Sequence, residues 1–334
     1  MRRISPRRLG VALAALLLAA CTLAPGPDGP AAPSPSVEPE EVTLLLGFRP
    51  DVQFAPFYVA QQEGYYAAVG LEVTIEHRQS PDVIRLVASG QAEFGVADAT
   101  DVMVSRTSEI PVVYAASLFS RFPVAIIGPA GEVPAEPAGL GGTAIGTPGR
   151  FGSSWHALLA LLDAGGLDEE DVTIREYPQF NQAEGLANGD VELITGFRNN
   201  EPLRLAARGM EVDLLTLDEW APLPGPGLIV GDELLARRRE MVRAFAEATL
   251  RAQREVIADT EVGLAAAERA VPAIAEDRET ARAVLEATAE LWGADPAGEI
   301  DPQRWESGYG IMTRLGFIDG SVPLDEMIAR DLLD

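Results

Sequence analysis

Gly47-Phe-Arg-Pro-Asp-Val-Gln-Phe-Ala-Pro-Phe-Tyr-Val-Ala-Gln-Gln-Glu-Gly-Tyr-Tyr-Ala-Ala-Val-Gly70 lies between two apolar runs, Val42 to Leu46 and Leu71 to Ile75. The runs read as buried strands. A Pro/Asp turn leaves the first, and a helix from about Ala55 to Val69 leads to the second. The unit is strand, loop, helix, strand. In open α/β sheets, ligands bind just beyond the carboxyl ends of the strands. The loop there carries Gln53, Phe54, Phe57 and Tyr58, an amide beside aromatic rings.

The same alternation continues downstream. Pro81 to Gly90 reads as a helix with Pro at its start and Gly at its end, and Glu93 to Ala97 as a strand. Asp98-Ala-Thr-Asp opens a helix to about Arg106, and strands follow at Pro111 to Ser117 and Phe122 to Gly128. Pro129 to Leu140 is a Gly/Pro-rich break, taken as the first crossing between two lobes. A second α/β unit follows, with strands after Gly142, Asp171, Val191 and Glu211 and helices after Ser154, Asn181 and Glu201. Pro222-Leu-Pro-Gly-Pro-Gly marks a second crossing, returning through a strand at Gly227 to Val230. Beyond it, Val242, Phe245, Ala246, Thr249, Leu250, Gln253, Val256 and Ile257 recur at helical spacing, and the remainder is helical. This gives an α/β chain with lobe 1 at residues 42–128, lobe 2 at 129–226 and a return of lobe 1 at 227–334. Two lobes joined by two crossings suit a hinged binding protein.

The first residues read as a targeting segment, with Met1 to Arg8 basic and Leu9 to Ala20 apolar but short for a membrane span. Leu18-Ala19-Ala20-Cys21 resembles a bacterial lipobox, and Cys21 is the only cysteine. We therefore expect a signal peptide over 1–20, lipidation at Cys21 and a proline-rich tether over 21–41 that holds the domain off the membrane. The chain carries 51 acidic against 26 basic residues, a formal net charge of −25, which excludes a nucleic-acid role by repulsion. Every basic residue apart from two histidines is Arg. With no Lys, no Schiff base can form.

Thr147 to Trp155 is a Gly-rich loop opening onto a helix N-terminus, where backbone N–H groups favour an anion or a strong acceptor. Phe151, Ser153, Ser154 and Trp155 are candidates there; a serine cap or a core tryptophan is the alternative. Phe197, Asn199, Asn200 and Glu201 follow a strand in the same way, and helix capping needs only one polar residue of that set. Asp98 and Thr100 end the third strand, as ligand contacts or as caps. Phe119 and Arg121 lie between the next two strands, and Arg121 reads as a donor to a ligand carbonyl or as a solvated turn residue. His77 and His156 have no metal-ligand spacing around them and read as surface or capping residues.

Several segments carry a family resemblance: Pro50 to Ala60, Gly64-Tyr-Tyr, Gly70-Leu-Glu-Val, Leu86 to Val96, Thr147 to Trp155, Asn200-Glu-Pro-Leu-Arg-Leu and the late Trp305 with Leu315-Gly-Phe. They resemble the solute-binding lipoproteins of ABC importers in the family that binds thiamine pyrimidine precursors and riboflavin, most closely its riboflavin-binding branch. The resemblance implies a two-lobed type II periplasmic-binding-protein fold, each lobe a mainly parallel sheet flanked by helices. It also implies a monomer outside the cytoplasm that passes its ligand to a membrane permease. Pyrimidine-binding relatives tend to carry a His in the opening loop, where this chain has Gln53-Phe54, which favours riboflavin. The family's eukaryotic pyrimidine synthases use a Cys cluster, a His and a pyridoxal phosphate lysine. This chain lacks that chemistry, so no enzyme, no metal and no cofactor are expected, riboflavin being a transported ligand.

Overall fold

The computed structural model describes residues 39–78, 80–293 and 298–333. The expected leader, Cys21 and the tether up to residue 38 lie outside them. The strands are β1 (Glu40–Leu46), β2 (Leu71–His77), β3 (Phe94–Ala97), β4 (Val112–Ser117), β5 (Val124–Pro129), β6 (Ala144–Thr147), β7 (Thr173–Glu176), β8 (Leu193–Phe197), β9 (Val212–Thr216) and β10 (Gly227–Gly231). They form two sheets, ordered β2-β1-β3-β10-β4 and β7-β6-β8-β5-β9.

β1 shows why the first sheet is an interior one. Leu44, Leu45 and Leu46 are all buried, because helices cover both faces of the sheet. Asp51 then caps the short turn Val52–Phe54 by accepting from the Gln53 N–H, and Pro56 sits in the first turn of the helix Ala55–Gln62. Gly64, at φ +73°, breaks that helix from Tyr65–Ala68, a conformation only glycine adopts cheaply.

The two sheets have the same pattern. β1 pairs parallel with β2 and β3, as β6 does with β7 and β8. β10 and β5 pair antiparallel with both of their neighbours. The odd strand in each sheet is the one that has just arrived from the other lobe, so it runs against its hosts.

That topology moves one boundary. β5, expected to close lobe 1, is hydrogen-bonded within the second sheet, so the chain first crosses at 118–123 rather than at 129–140. β1 also starts at Glu40, inside the expected tether. The crossing segments touch: the Leu118 and Phe119 N–H groups donate to the Pro226 carbonyl, and the Tyr114 hydroxyl donates to the Gly225 carbonyl. A Cβ on Gly225 would lie 2.5 Å from the Phe119 carbonyl oxygen, so the approach requires glycine.

The C-terminal helices reinforce lobe 1 and reach beyond it. Phe245, from the helix Arg239–Ala258, is sandwiched between Phe94 and Tyr66 with ring centroids 3.8 Å and 4.8 Å away. The helix Pro302–Arg314 gives Trp305 and Met312 to the lobe 1 core and Ile311 to the lobe 2 core. It therefore straddles both lobes instead of belonging to lobe 1 alone.

Candidate functional site

The carboxyl ends of β1, β3, β6 and β8 converge on a cleft between the lobes. Lobe 1 contributes Gln53 and Phe54 after β1, Asp98 after β3, and Phe119 from the crossing. Lobe 2 contributes Phe151, Ser153 and Ser154 after β6, and Phe197, Asn200 and Glu201 after β8. These ten expected residues come together at one cleft.

Five expected residues do not line it. Trp155, 5% exposed, turns into the lobe 2 core, with the Arg150 guanidinium over its ring at 4.8 Å. One residue past Ser154 is a rotation of about 100° on a helix, enough to leave the cleft face. Arg121 is exposed, on a crossing whose backbone is tied to the Leu291 carbonyl. Asn199 is buried and donates through Nδ2 to Thr288 Oγ1 at 2.8 Å, binding lobe 2 to the helix Arg278–Trp292. Thr100 is buried against His156, and Tyr58 stands behind the cleft wall.

His77 and His156 are not surface or capping residues. His77 Nδ1 lies 2.8 Å from the Phe48 carbonyl, which can only accept, so Nδ1 carries the proton. Nε2 is then the acceptor for the Tyr58 hydroxyl at 3.1 Å. Burial lowers the His77 pKa and raises that of Tyr58, keeping both neutral. The imidazole also meets Phe54 edge to face at 5.4 Å, so this pair braces a cleft ring from behind. His156, buried in lobe 2, lies 2.9 Å from Thr100 Oγ1 and 3.6 Å from Asp101 Oδ1. Burial pushes its pKa down to about 4.

The helix Gly152–Ala164 has no cap from its own Ser153 or Ser154. Its N-terminus is met by Asp98 of lobe 1, whose Oδ2 accepts from the Ser153 N–H at 3.3 Å. Burial raises the pKa of Asp98; burial and then the Asp98 charge raise that of Asp101. Across the cleft, Glu201 Oε2 accepts from the Phe197 N–H at 2.7 Å, and burial carries its pKa up to about 6. Arg204 reaches from lobe 2 to Asp51 at 2.8 Å and to Asn200 Oδ1 at 2.5 Å. Among the described residues, the cleft lining holds two acids and no Arg.

Among the lining residues that went unrecognised in the sequence are two aromatic rings and one amide. Phe48 and Phe180, from opposite lobes, meet edge to face at 5.5 Å. Phe180 adopts φ +56°, which costs a non-glycine residue energy and is held by its surroundings. Gln182, 2% exposed, donates to the Thr195 carbonyl at 3.3 Å, while its Oε1 has no partner. No signal short of the fold separates it from an ordinary helix glutamine. Among the described residues, no group of three or more His, Cys, Asp or Glu could hold a metal.

Residues 51–261 match the family model described as NMT1/THI5 like. The chain belongs to that family. It is 33% identical to the riboflavin-binding protein RibY of Chloroflexus aurantiacus, across 100% of this chain and 99% of that protein. It is 27% identical to the formylaminopyrimidine-binding protein of Halalkalibacterium halodurans over 73% of this chain and 72% of that one. It is 26% identical to the 4-amino-5-hydroxymethyl-2-methylpyrimidine phosphate synthase THI13 of Saccharomyces cerevisiae over 66% and 68%. In structure it resembles the alkanesulfonate-binding protein SsuA of Xanthomonas axonopodis pv. citri bound to MOPS, with a TM-score of 0.68 at 15% identity, covering 88% of this chain and 100% of that one. The fold is therefore the two-lobed periplasmic-binding-protein fold.

Proposed function

We propose that this chain is the extracytoplasmic solute-binding protein of an ABC importer, capturing unphosphorylated riboflavin between its lobes and passing it to a membrane permease. The observation that carries this reading is the lining of the cleft. Phe48, Phe54, Phe119, Phe151, Phe180 and Phe197 surround it from both lobes, with amides and serine hydroxyls between them. A flavin needs flat apolar walls for its fused rings, where offset stacking adds about 0.5–1.5 kcal/mol per pair beyond burial. It also needs amides for its pyrimidine edge and hydroxyls or carboxylates for its ribityl chain. Full-length similarity to RibY supports the same ligand.

The charge of the lining supports a neutral ligand. A phosphate or sulfonate would meet Asp98 and Glu201 without an arginine, and Asp98 already occupies the helix N-terminus that would bind such an anion. Catalysis is not part of this reading. A pyridoxal phosphate Schiff base has no lysine to form on, and the sole cysteine is Cys21. Lipidation at Cys21 would keep the domain beside its permease.

A thiamine pyrimidine precursor is the second reading, supported by the similarity to the formylaminopyrimidine-binding protein. Thermal unfolding with each compound separates the two. A ligand at about a hundred times its Kd adds roughly 2.7 kcal/mol of stability. Riboflavin should raise the Tm and the formylaminopyrimidine should not. The reverse result would keep the fold and change the cargo.

A further inference from the structure

A second, much smaller and nearly closed recess adjoins the cleft and shares Gln53, Phe54, Val96 and Phe119 with it. Its remaining walls are Pro56, Phe57, Leu118 and Trp292, with Thr249 and Gln253 from the helix Arg239–Ala258. Gln253 is 1% exposed. Its Nε2 donates to the Leu118 carbonyl at 2.8 Å, which fixes the orientation of the amide, because that carbonyl can only accept. Gln253 Oε1 is then a buried acceptor with no partner. An unmatched buried acceptor is costly, and here it belongs to a residue on the wall of a mostly apolar chamber. Thr249 does not satisfy it, since its hydroxyl donates to the Phe245 carbonyl.

We propose that this inner chamber is the subsite for the imide edge of the ligand's fused ring, with Gln253 Oε1 accepting its ring N–H. This rests on the flavin reading and sets the direction in which the ring enters. The ring passes between Phe54 and Phe119, and the imide is innermost. The Gln53 amide, on the wall common to both chambers, faces an imide carbonyl as a donor. The ribityl chain trails into the main cleft, where Gln182, Ser153, Ser154 and Asp98 offer polar partners. Gln182 Oε1 is the orphaned acceptor on the lining of the main cleft, but it sits beside Thr195, whose hydroxyl donates to Thr147, surroundings suited to hydroxyls rather than to a flat ring. Gln253 is thus a specificity-determining residue, selecting a heterocycle whose edge carries a donor.

The test is a set of flavin titrations on the unmodified full chain. Riboflavin is compared with riboflavin methylated at N3, and with a flavin bearing a dimethylamino group in place of the 8-methyl. A site built around a donor rejects the analogue lacking it, so N3 methylation should weaken binding by at least about thirtyfold, and the 8-substituent by much less. Gln253→Leu should bind riboflavin about tenfold more weakly and lose most of its discrimination against the N3-methyl compound. Equal affinity for the N3-methyl compound, or a loss confined to the 8-substituted one, would overturn the orientation while leaving riboflavin as cargo. Discrimination unchanged in Gln253→Leu but lost in Gln182→Leu would move the imide to the other acceptor. A chain that binds no flavin at all would lose both the cargo and the subsite.

Discussion

Asp98 follows β3 at the position of a helix cap, yet its side chain does not cap its own helix. It crosses to the other lobe and accepts from the Ser153 N–H at 3.3 Å, at the N-terminus of the helix Gly152–Ala164. A helix N-terminus favours negative charge, and here the protein supplies that charge from the opposite lobe. Two consequences follow from one contact: the lobes are held in register, and an incoming anion finds its natural site taken.

Replacing the charge should therefore change ligand preference. Asp98→Asn keeps an acceptor of similar shape and removes the negative charge from the cleft. The affinity ratio of riboflavin phosphate to riboflavin should rise, by roughly three- to tenfold from the dipole alone. Isothermal titration with both ligands reads the ratio; no change would place the phosphate elsewhere.

Phe151 and Trp155 should behave differently although both are aromatic and lie on neighbouring turns. Phe151 lines the cleft and is 36% exposed, so Phe151→Ala should weaken flavin binding about tenfold with little change in Tm. Trp155 packs in the lobe 2 core, so Trp155→Ala should cost about 3–5 kcal/mol of stability and leave the affinity of folded protein unchanged. Phe54→Ala should do both, because that ring lines the cleft and is also 8% exposed within the lobe 1 core.

His156 gives a pH dependence of stability with a definite sign. Burial depresses its folded pKa from 6.5 to about 4. A depressed base contributes stability that is present above its unfolded pKa and lost as pH falls towards the folded one. The window is therefore pH 6.5 down to about 4, and the loss is on the order of 3 kcal/mol. Asp98 and Asp101, with raised pKa values, act in the opposite sense as they protonate. Comparing parent and His156→Asn by denaturant unfolding isolates the histidine: the parent's advantage should shrink through that window, and a constant difference would contradict the neutral buried imidazole.

The bridge from Asp51 to Arg204 should tune closure more than folding. Asp51 is buried, whereas the Arg204 side chain is 39% exposed, so solvent screens part of the attraction. Arg204→Met should weaken ligand binding a fewfold, and high salt should weaken the parent towards the variant. Equal salt dependence in both would remove the bridge from the account.

Much of this was legible in the sequence because local patterns were strong. The run from Gly47 to Gly70 follows an apolar strand and carries a Pro/Asp turn and a helix starting at Ala55, and these form where the signals put them, except that Gly64 breaks the helix before Val69. β5 was assigned to the wrong lobe because an apolar strand reads the same in either sheet; only its pairing with β8 and β9 settles its membership. Trp155 was misplaced because the helix Gly152–Ala164 is apolar nearly all round, with nine of its residues buried, so no stripe marks the cleft face. Gln253 fell within a core stripe at helical spacing, and periodicity cannot tell a packed amide from one with an unmatched oxygen. Tyr58 and His77 are far apart in sequence, and only the pairing of β1 with β2 brings them together behind Phe54.

The most direct measurement is a fluorescence titration of the purified full chain with riboflavin, followed by its phosphate. Saturable quenching at submicromolar riboflavin, with clearly weaker binding of the phosphate, is the predicted result. No quenching by riboflavin, together with no shift in Tm, would contradict it.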